Sequence, residues 1–217
     1  MSKKPHYIVV EGPIGVGKTT LAKRLADDFE AELLLEAVSD NPFLQQFYAN
    51  RESAALATQL HFLVTRLRQL EGLQQQQLFS PIQVTDFLLE KDRLFAETTL
   101  NPLEFTLYEK IYEKIVIDLP RPDLVVYLQA PVEILHKRIK KRGRNFEGSI
   151  STTYLQQLVT AYTNFFHYYD SAPLLVVNAT EIDLVKVEED YQALLRQVQS
   201  IHSGRHYFNP LPSTNRS

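Results

Sequence analysis

Gly12-Pro13-Ile14-Gly15-Val16-Gly17-Lys18-Thr19 is the stretch of this 217-residue sequence that decides its fold. It follows a short apolar run at residues 7–10 and precedes a segment, 19–29, whose apolar residues recur at helical spacing. The pattern G-x-x-x-x-G-K-[ST] between a strand and a helix is a phosphate-binding loop, or P-loop. Its glycines let backbone N–H groups face inward around an anion, beside the positive end of the helix. The sequence therefore predicts an α/β protein that binds a nucleoside triphosphate.

Two side chains of this loop are suited to phosphate chemistry. Lys18 can reach the β- and γ-phosphates, and we predict a catalytic role for it. The Thr19 hydroxyl can ligate Mg²⁺, a hard ion that prefers oxygen. ATP and Mg²⁺ are therefore the expected cofactors. The residues predicted to hold ATP in this region are Gly12, Pro13, Ile14, Gly15, Val16, Gly17, Lys18, Thr19 and Thr20.

Apolar runs alternate with helical patterns along the rest of the chain. The runs at 32–36, 82–85, 124–128 and 174–177 predict further strands. Helices are predicted at 41–50, 53–75, 102–117, 132–141, 151–169 and 184–201. Strands that alternate with helices favour a parallel sheet covered on both faces. We predict a P-loop kinase fold with a five-stranded parallel sheet, in one domain over residues 1–201, followed by a polar tail over 202–217.

Composition limits the setting in which the protein works. The chain has no cysteine, which excludes a disulfide framework and a thiolate metal site. Its net charge of −3 argues against a nucleic-acid-binding surface spread over the molecule. The apolar run at the N-terminus is too short for a signal peptide or a membrane span. We expect a cytoplasmic protein with no nucleic-acid or membrane partner.

A basic cluster follows the predicted fourth strand. Arg138 and Arg142 are four residues apart and share a helix face, and Arg144 follows Gly143, where the chain can bend. Arginine makes multidentate contacts to phosphate oxygens, and closure of such a segment excludes water. We interpret residues 137–148 as a lid in which Arg138 and Arg142 hold ATP, and Arg142 and Arg144 act in catalysis. A solvated basic helix face is the competing interpretation.

These two motifs resemble those of the deoxynucleoside kinase family. The P-loop and the segment R-x-x-x-R-G-R-x-x-E, residues 138–147, are the family's most recognisable pieces. The resemblance runs from about residue 7 to residue 201 and looks closest to the bacterial purine-deoxynucleoside type, partly because of Asp40-Asn41-Pro42-Phe43. It implies transfer of the γ-phosphate of ATP to the 5′-hydroxyl of a deoxynucleoside in nucleotide salvage, and usually a homodimer.

The resemblance also implies a pocket for the nucleoside. Tyr48, Gln59 and Arg66 reproduce the family's intervals of eleven and seven residues. By resemblance, Tyr48 bonds the sugar 3′-hydroxyl and Gln59 the base edge, where one amide offers a donor and an acceptor together. Asp92, six residues after Asp86, matches an acid near the nucleobase, and Glu147 matches a lid acid that also reads the 3′-hydroxyl.

Two carboxylates are candidates for the chemical step. By resemblance, Glu36 ends the second strand and approaches the 5′-hydroxyl, while Asp86 ends the third strand and acts as the base. A sugar hydroxyl is a poor nucleophile, so a nearby carboxylate should accept its proton. Acids at the carboxyl ends of parallel strands face the crevice where ligands bind. We predict that both acids act in catalysis and substrate binding, and that Asp86 joins Thr19 as a Mg²⁺ ligand.

The chain departs from the family at the end of the third strand. The family often has Glu-Arg-Ser where this chain has Asp86-Phe87-Leu88. This chain therefore lacks the arginine at that position. Either Arg66 or the lid takes over its stabilising role, or no residue does.

Three phenylalanines are candidates to stack on the base, a contact worth about 1–3 kcal/mol per base. They are Phe79, Phe87 and Phe95. Burial in the core is the competing interpretation, and it is favoured for any one of them.

Two other functions remain open. A nucleoside monophosphate kinase of thymidylate-kinase type needs an extra arginine for the acceptor phosphate. Arg66 keeps this alternative open, although the spacing from Gln59 to Arg66 favours an unphosphorylated nucleoside. A P-loop switch that binds GTP usually carries N-K-x-D after a late strand, and Val177-Asn178-Ala179-Thr180 lacks that motif.

Overall fold

A parallel sheet forms the centre of the computed structural model, which describes residues 5–76, 82–117, 120–144, 147–148, 150–181 and 187–210. Within those residues the sheet has six strands in the order β2-β3-β1-β4-β5-β6, and each neighbouring pair is parallel. The strands are β1 (Tyr7–Glu11), β2 (Glu32–Leu34), β3 (Gln83–Thr85), β4 (Leu124–Gln129), β5 (Leu174–Asn178) and β6 (Arg205–Phe208).

Helices connect the strands and cover both faces of the sheet. They are α1 (Lys18–Phe29), α2 (Leu44–Ala49), α3 (Arg51–Gln76), α4 (Lys91–Thr99), α5 (Pro102–Ile115), α6 (Val132–Arg142), α7 (Thr152–Tyr168) and α8 (Glu188–Ser200). A short 3₁₀ turn, Val38–Asp40, precedes α2. Asn101 caps α5 by accepting hydrogen bonds from the Leu103 and Glu104 N–H groups, both at 3.0 Å, with Pro102 at the first helical position.

The central strand β1 shows why its sequence is apolar without alternation. Ile8 and Val10 pack on the face covered by α1 and α8, whereas Tyr7 and Val9 pack on the face covered by α3, α4 and α7. All four residues are at most 5% exposed, because both faces of a parallel sheet are buried. The predicted α/β architecture with helices on both faces is therefore confirmed.

The prediction of five strands is wrong by one, because β6 pairs with β5 at the edge of the sheet. This strand, Arg205–Phe208, lies in the segment that the sequence analysis assigned to the tail. Its residues are half-buried or exposed, so it lacks the continuous apolar run that marks an inner strand.

Two boundaries near the P-loop also differ from the predictions. Strand β2 stops at Leu34, because the Glu36 N–H donates to the Asp86 carboxylate at 2.6 Å instead of continuing the sheet. Helix α2 begins at Leu44 rather than near Pro42, since the Asn41 side chain accepts a hydrogen bond from the Phe43 N–H in a turn before the helix.

The first glycine of the P-loop allows that loop to pass close to β4. Gly12 has φ +149°, and a Cβ atom there would lie 2.4 Å from the Leu128 carbonyl oxygen and 2.9 Å from Val16 Cγ1. The backbone oxygen cannot move without disturbing the sheet, so glycine is required at this position.

Gly12→Ala should therefore lower the free energy of unfolding by at least about 2 kcal/mol, from strain and the clash with Leu128. Gly72→Ala is the matched control, because its Cβ would meet nothing within 4 Å on helix α3. That change should raise stability by up to about 1 kcal/mol, since alanine favours helix. Urea unfolding measures both, and equal effects would contradict the stated reason for Gly12.

Candidate active site

A cavity of about 260 Å³ opens where the P-loop meets the carboxyl ends of the strands. It brings together residues that lie far apart in the sequence. Those predicted site residues that line it are Ile14, Gly15, Lys18, Thr19, Glu36, Tyr48, Gln59, Arg66, Asp86, Arg142, Arg144 and Glu147. The cavity thus runs from the P-loop, past the two strand-end acids, to helix α3 and the end of α6.

Asp86 joins the P-loop helix to the end of β2. Its Oδ2 accepts a hydrogen bond from the Thr19 hydroxyl at 2.5 Å, and its Oδ1 accepts one from the Glu36 N–H at 2.6 Å. Lys18 Nζ donates to the Gly12 carbonyl oxygen at 2.7 Å. Burial and the nearby Lys91 ammonium lower the pKa of Lys18. A carboxylate, a hydroxyl and an ammonium therefore converge at one end of the cavity.

Glu36 is held by two cations from different helices. Arg66 on α3 donates its Nε–H to Glu36 Oε1 at 2.8 Å and also makes a second bond to that oxygen through its terminal nitrogen. Lys91 Nζ on α4 lies 3.2 Å from the same oxygen. Burial alone would raise the pKa of Glu36, but Arg66, Lys91 and Lys18 outweigh it and hold that pKa far below its usual range.

Arg66 also pairs with Asp92, which is fully buried behind it and is not among the residues that line the cavity. Burial raises the pKa of Asp92 to about 6, although Arg66 and Lys91 act in the opposite direction. Asp92 Oδ2 has no hydrogen-bond partner in the part of the chain that the structure describes. In this arrangement Asp92 supports Arg66 instead of facing the cavity.

Two charged residues of this site, Glu11 and Lys91, were not among those predicted from the sequence. Glu11 ends β1 and is fully buried, and it accepts hydrogen bonds from the Gly12 and Leu88 N–H groups, both at 2.8 Å, and from the Tyr162 hydroxyl at 3.0 Å. Lys91 is 2% exposed and its Nζ lies 3.3 Å from Glu11 Oε2. A glutamate directly before the P-loop glycine was a readable signal, whereas helix α4 has little apolar periodicity and was not predicted at all.

Helices α2 and α3 contribute Tyr48 and Gln59 to the lining of the cavity. Gln59 Nε2 donates to the Thr99 hydroxyl at 3.1 Å, and that hydroxyl donates to the Phe95 carbonyl oxygen at 2.7 Å. Because Thr99 uses its proton on Phe95, it can only accept from Gln59, so the Gln59 amide has one fixed orientation. Burial raises the pKa of the Tyr48 phenol well above its usual value. Gln59 and Tyr48 thus line the cavity as neutral polar groups.

The basic segment after β4 contributes an ion pair to the rim. Arg142 Nε–H donates to Glu147 Oε2 at 3.0 Å, and a terminal nitrogen of Arg144 lies 3.7 Å from Glu147 Oε1. Glu147 is only 4% exposed, although both arginines reach solvent. Arg138 instead donates to the Val16 and Ala179 carbonyl oxygens, beside the P-loop.

The three candidate stacking phenylalanines separate in the structure. Phe87 is fully buried in the core. It stands where the family often has an arginine, and it has no charge that could replace that arginine. Phe95 lines the cavity beside Arg66 and Gln59. Phe79 lies outside the described residues.

Comparison with known proteins decides the family. The model of the deoxynucleoside kinase family matches residues 8–203. The chain belongs to this family. A deoxyguanosine kinase of Bacillus subtilis (strain 168) is 36% identical over 201 residues, which cover 90% of this chain and 97% of that protein. A deoxyadenosine/deoxycytidine kinase of the same organism is 29% identical over 208 residues, 91% of this chain and 94% of that protein.

Solved structures of this family share the fold. A deoxyadenosine kinase from M. mycoides with bound dATP superposes with a TM-score of 0.79 at 25% identity, over 90% of this chain and 100% of that one. The same enzyme with dCMP and dCDP as products gives a TM-score of 0.78 at 26% identity, with the same coverage. Phosphorylation of a deoxynucleoside, predicted from the sequence, is therefore confirmed at the level of the family. The thymidylate-kinase alternative is not favoured.

The helices in the described part of the chain include none that combines the length and apolar character needed to cross a membrane.

Proposed function

We propose that this deoxynucleoside kinase transfers the γ-phosphate of ATP to the 5′-hydroxyl of a purine deoxynucleoside. The observation that carries the proposal is one continuous cavity that joins Lys18 and Thr19 of the P-loop to Glu36, Asp86 and Gln59. A donor phosphate on the P-loop and a sugar over Glu36 would share that space. Phosphoryl transfer depends mainly on such positioning and on charge stabilisation.

In this proposal Glu36 receives the proton of the 5′-hydroxyl, in place of Asp86, to which the resemblance gave that role. Both oxygens of Asp86 already accept hydrogen bonds, from the Thr19 hydroxyl and the Glu36 N–H. Glu36 lines the cavity and its carboxylate is kept ionised by neighbouring cations, so it can always accept a hydrogen bond from the acceptor hydroxyl. Its low pKa makes it a weak base, which suits a loose transition state in which the proton leaves late. Tyr48 and Glu147 are proposed to bind the 3′-hydroxyl.

Thr19 and Asp86 are proposed to hold Mg²⁺. Their side-chain oxygens lie 2.5 Å apart at the mouth of the P-loop, and both are hard donors that this ion accepts. Among the described residues there is no cluster of three or more His, Cys, Asp or Glu side chains suited to a metal. Mg²⁺ needs only one or two protein oxygens when phosphates complete its shell. When bound, the ion neutralises charge on the phosphates.

Arg138, Arg142 and Arg144 are proposed to surround the phosphates of ATP. Arg138 contacts the backbone beside the P-loop, while Arg142 and Arg144 line the cavity and share Glu147. Their guanidinium groups would contact the migrating phosphoryl group, and Glu147 would fix their orientation.

The preference for a purine rests on relatives and on Gln59. Two of the bacterial relatives compared above are named for a purine deoxynucleoside alone, and a third is named for both deoxyadenosine and deoxycytidine. The fixed Gln59 amide keeps an acceptor oxygen and one N–H for a base edge. Arg66 and the buried Asp92 behind it would limit how the base tilts.

A substrate panel tests this function. The full chain is incubated with radiolabelled ATP, Mg²⁺ and each of deoxyguanosine, deoxyadenosine, deoxycytidine, thymidine and dTMP. We expect the highest kcat/KM with a purine deoxynucleoside, a 5′-monophosphate product, and loss of turnover on chelation of Mg²⁺. Turnover of dTMP alone would contradict the proposal, and a pyrimidine optimum would reject the purine preference.

Glu36→Gln should lower kcat by at least ~10², because the amide cannot accept the proton. The Kd for ATP should change little, since Glu36 faces the acceptor side. Glu52→Gln on the exposed start of α3 is the control and should keep wild-type kinetics. Parallel kinetics and ATP titrations measure both effects, and an equal loss of ATP affinity would refute this division of roles.

We also propose a homodimer. Leu103 and Leu107 lie four residues apart on α5 and are 84% and 49% exposed, and Val64 on the neighbouring helix α3 is 39% exposed. A second copy would bury this apolar face. Light scattering should give twice the chain mass, and Leu103→Glu/Leu107→Glu should give the monomer. A monomeric wild type would exclude the dimer.

The cytoplasm is the proposed location, because both ATP and the salvaged deoxynucleoside are available there. Kinase activity recovered in the membrane fraction, and not in the soluble fraction of lysed cells, would contradict it.

A further inference from the structure

We propose that Lys91 is a positioning residue of the phosphoryl-transfer step, which together with Arg66 fixes one oxygen of Glu36 and leaves the other for the acceptor hydroxyl. This inference rests on the proposed role of Glu36. It assigns a function to a lysine that no sequence motif marks.

The closest contacts of the Glu36 carboxylate all fall on one of its two oxygens. Arg66 Nε at 2.8 Å, a terminal nitrogen of Arg66, and Lys91 Nζ at 3.2 Å all approach Oε1. Among the described residues, no hydrogen bond reaches Oε2. Glu36 lines the cavity and keeps 13% exposure. A carboxylate held through one oxygen by cations on two helices cannot rotate, so Oε2 stays available in a fixed direction.

The position of Lys91 is unfavourable for a lysine. It is 2% exposed, and lysine is almost never fully buried unless it is paired. It is also the first residue of α4, where the positive end of the helix dipole disfavours a cation. Burial of a charge is tolerated when opposite charges surround it, and Glu11 and Glu36 supply them at 3.3 and 3.2 Å.

A purely structural role for Lys91, as the counter-ion of Glu11, explains the position of Lys91 less well. Glu11 already accepts three hydrogen bonds, from the Gly12 and Leu88 N–H groups and the Tyr162 hydroxyl, so its charge is well satisfied. Those three bonds make Glu11 an immobile anchor at the end of β1. Lys91 extends from this anchor to Glu36, and it lines the cavity itself.

Lys91 therefore completes a chain of alternating charges under the cavity. The order is Asp92, Arg66, Glu36, Lys91 and Glu11, with adjacent members in contact. Glu36 is the central member and the only one of the three acids that lines the cavity. Its two cations come from α3 and α4, so its orientation depends on both helices.

The test replaces Lys91 with methionine, which has similar length and no charge. Lys91→Met should lower kcat by about 10- to 100-fold, as expected for lost support of a reacting group. The KM for ATP should stay within about 3-fold of wild type, because the P-loop contacts are intact. Lys114→Met, an exposed lysine on α5, is the matched control and should change neither value. Wild-type kcat in Lys91→Met would overturn the proposal.

A second variant covers the case in which Lys91→Met does not fold. Lys91→Met/Glu11→Gln removes both charges, so no unpaired carboxylate is left at Glu11. We expect it to fold, by circular dichroism and thermal unfolding, and to keep the kcat loss. Recovery of wild-type kcat in this double variant would mean that Lys91 serves Glu11 alone, and the proposal would fail.

Restoring the positive charge at position 91 separates the effect of the charge on kcat from the effect of packing. The wild-type chain has no cysteine, so Lys91→Cys introduces one thiol that bromoethylamine converts to an aminoethyl side chain of lysine length. Alkylation in denaturant followed by refolding should restore kcat at least about 10-fold relative to alkylation with neutral iodoacetamide. Wild type carried through the same cycle controls for refolding, and equal activity of the two adducts would overturn the proposal.

Failure of this inference can be told apart from failure of the proposed function. An active wild type with an unaffected Lys91→Met variant rejects only the role of Lys91. A wild type that phosphorylates none of the deoxynucleosides in the panel rejects the proposed function, and the role of Lys91 with it.

Discussion

The ion pairs of Glu36 with Arg66 and Lys91 are the constraint on which the site depends. Three acids and two cations lie beneath one cavity, and each is at most 13% exposed. Removal of charges from water costs several kcal/mol per ion unless close partners offset it. The alternation of sign along this chain provides those partners. It also joins the end of β1, the segment after β2, and helices α3 and α4, so that folding and site geometry are set by the same contacts.

The parallel sheet explains why the donor and acceptor sites meet. The P-loop follows β1, Glu36 follows β2 and Asp86 follows β3, and these strands are neighbours with their carboxyl ends at one edge. Asp86 links the three segments through Thr19 and the Glu36 backbone. Ligand sites at this edge are general for open α/β sheets. The particular chemistry comes from the strand-end acids and the arginines above them.

The sequence was sufficient for the P-loop, five of the six described strands and the family, because each depends on local pattern. Gly12 to Thr19 specify a backbone shape, and an unbroken apolar run specifies a strand buried on both faces. The sixth strand could not be predicted, because Arg205–Phe208 is half-exposed and gains its structure by pairing with β5. Lys91 was missed for a related reason, because its role comes from contacts between distant segments. Glu11 could have been read from its place directly before the P-loop. Asp92 was found by spacing, but only the structure shows it buried behind Arg66.

In the proposed reaction, one cavity holds a donor triphosphate and an acceptor nucleoside in line for direct transfer. A bisubstrate analogue, adenosine joined 5′ to 5′ through a phosphate chain to 2′-deoxyguanosine, tests it by calorimetry. The account predicts one molecule bound per chain, at least ~10² tighter than 2′-deoxyguanosine alone, with affinity lost in both Lys18→Ala and Gln59→Ala. An analogue that binds no more tightly than ATP, or that is indifferent to Gln59→Ala, would contradict it.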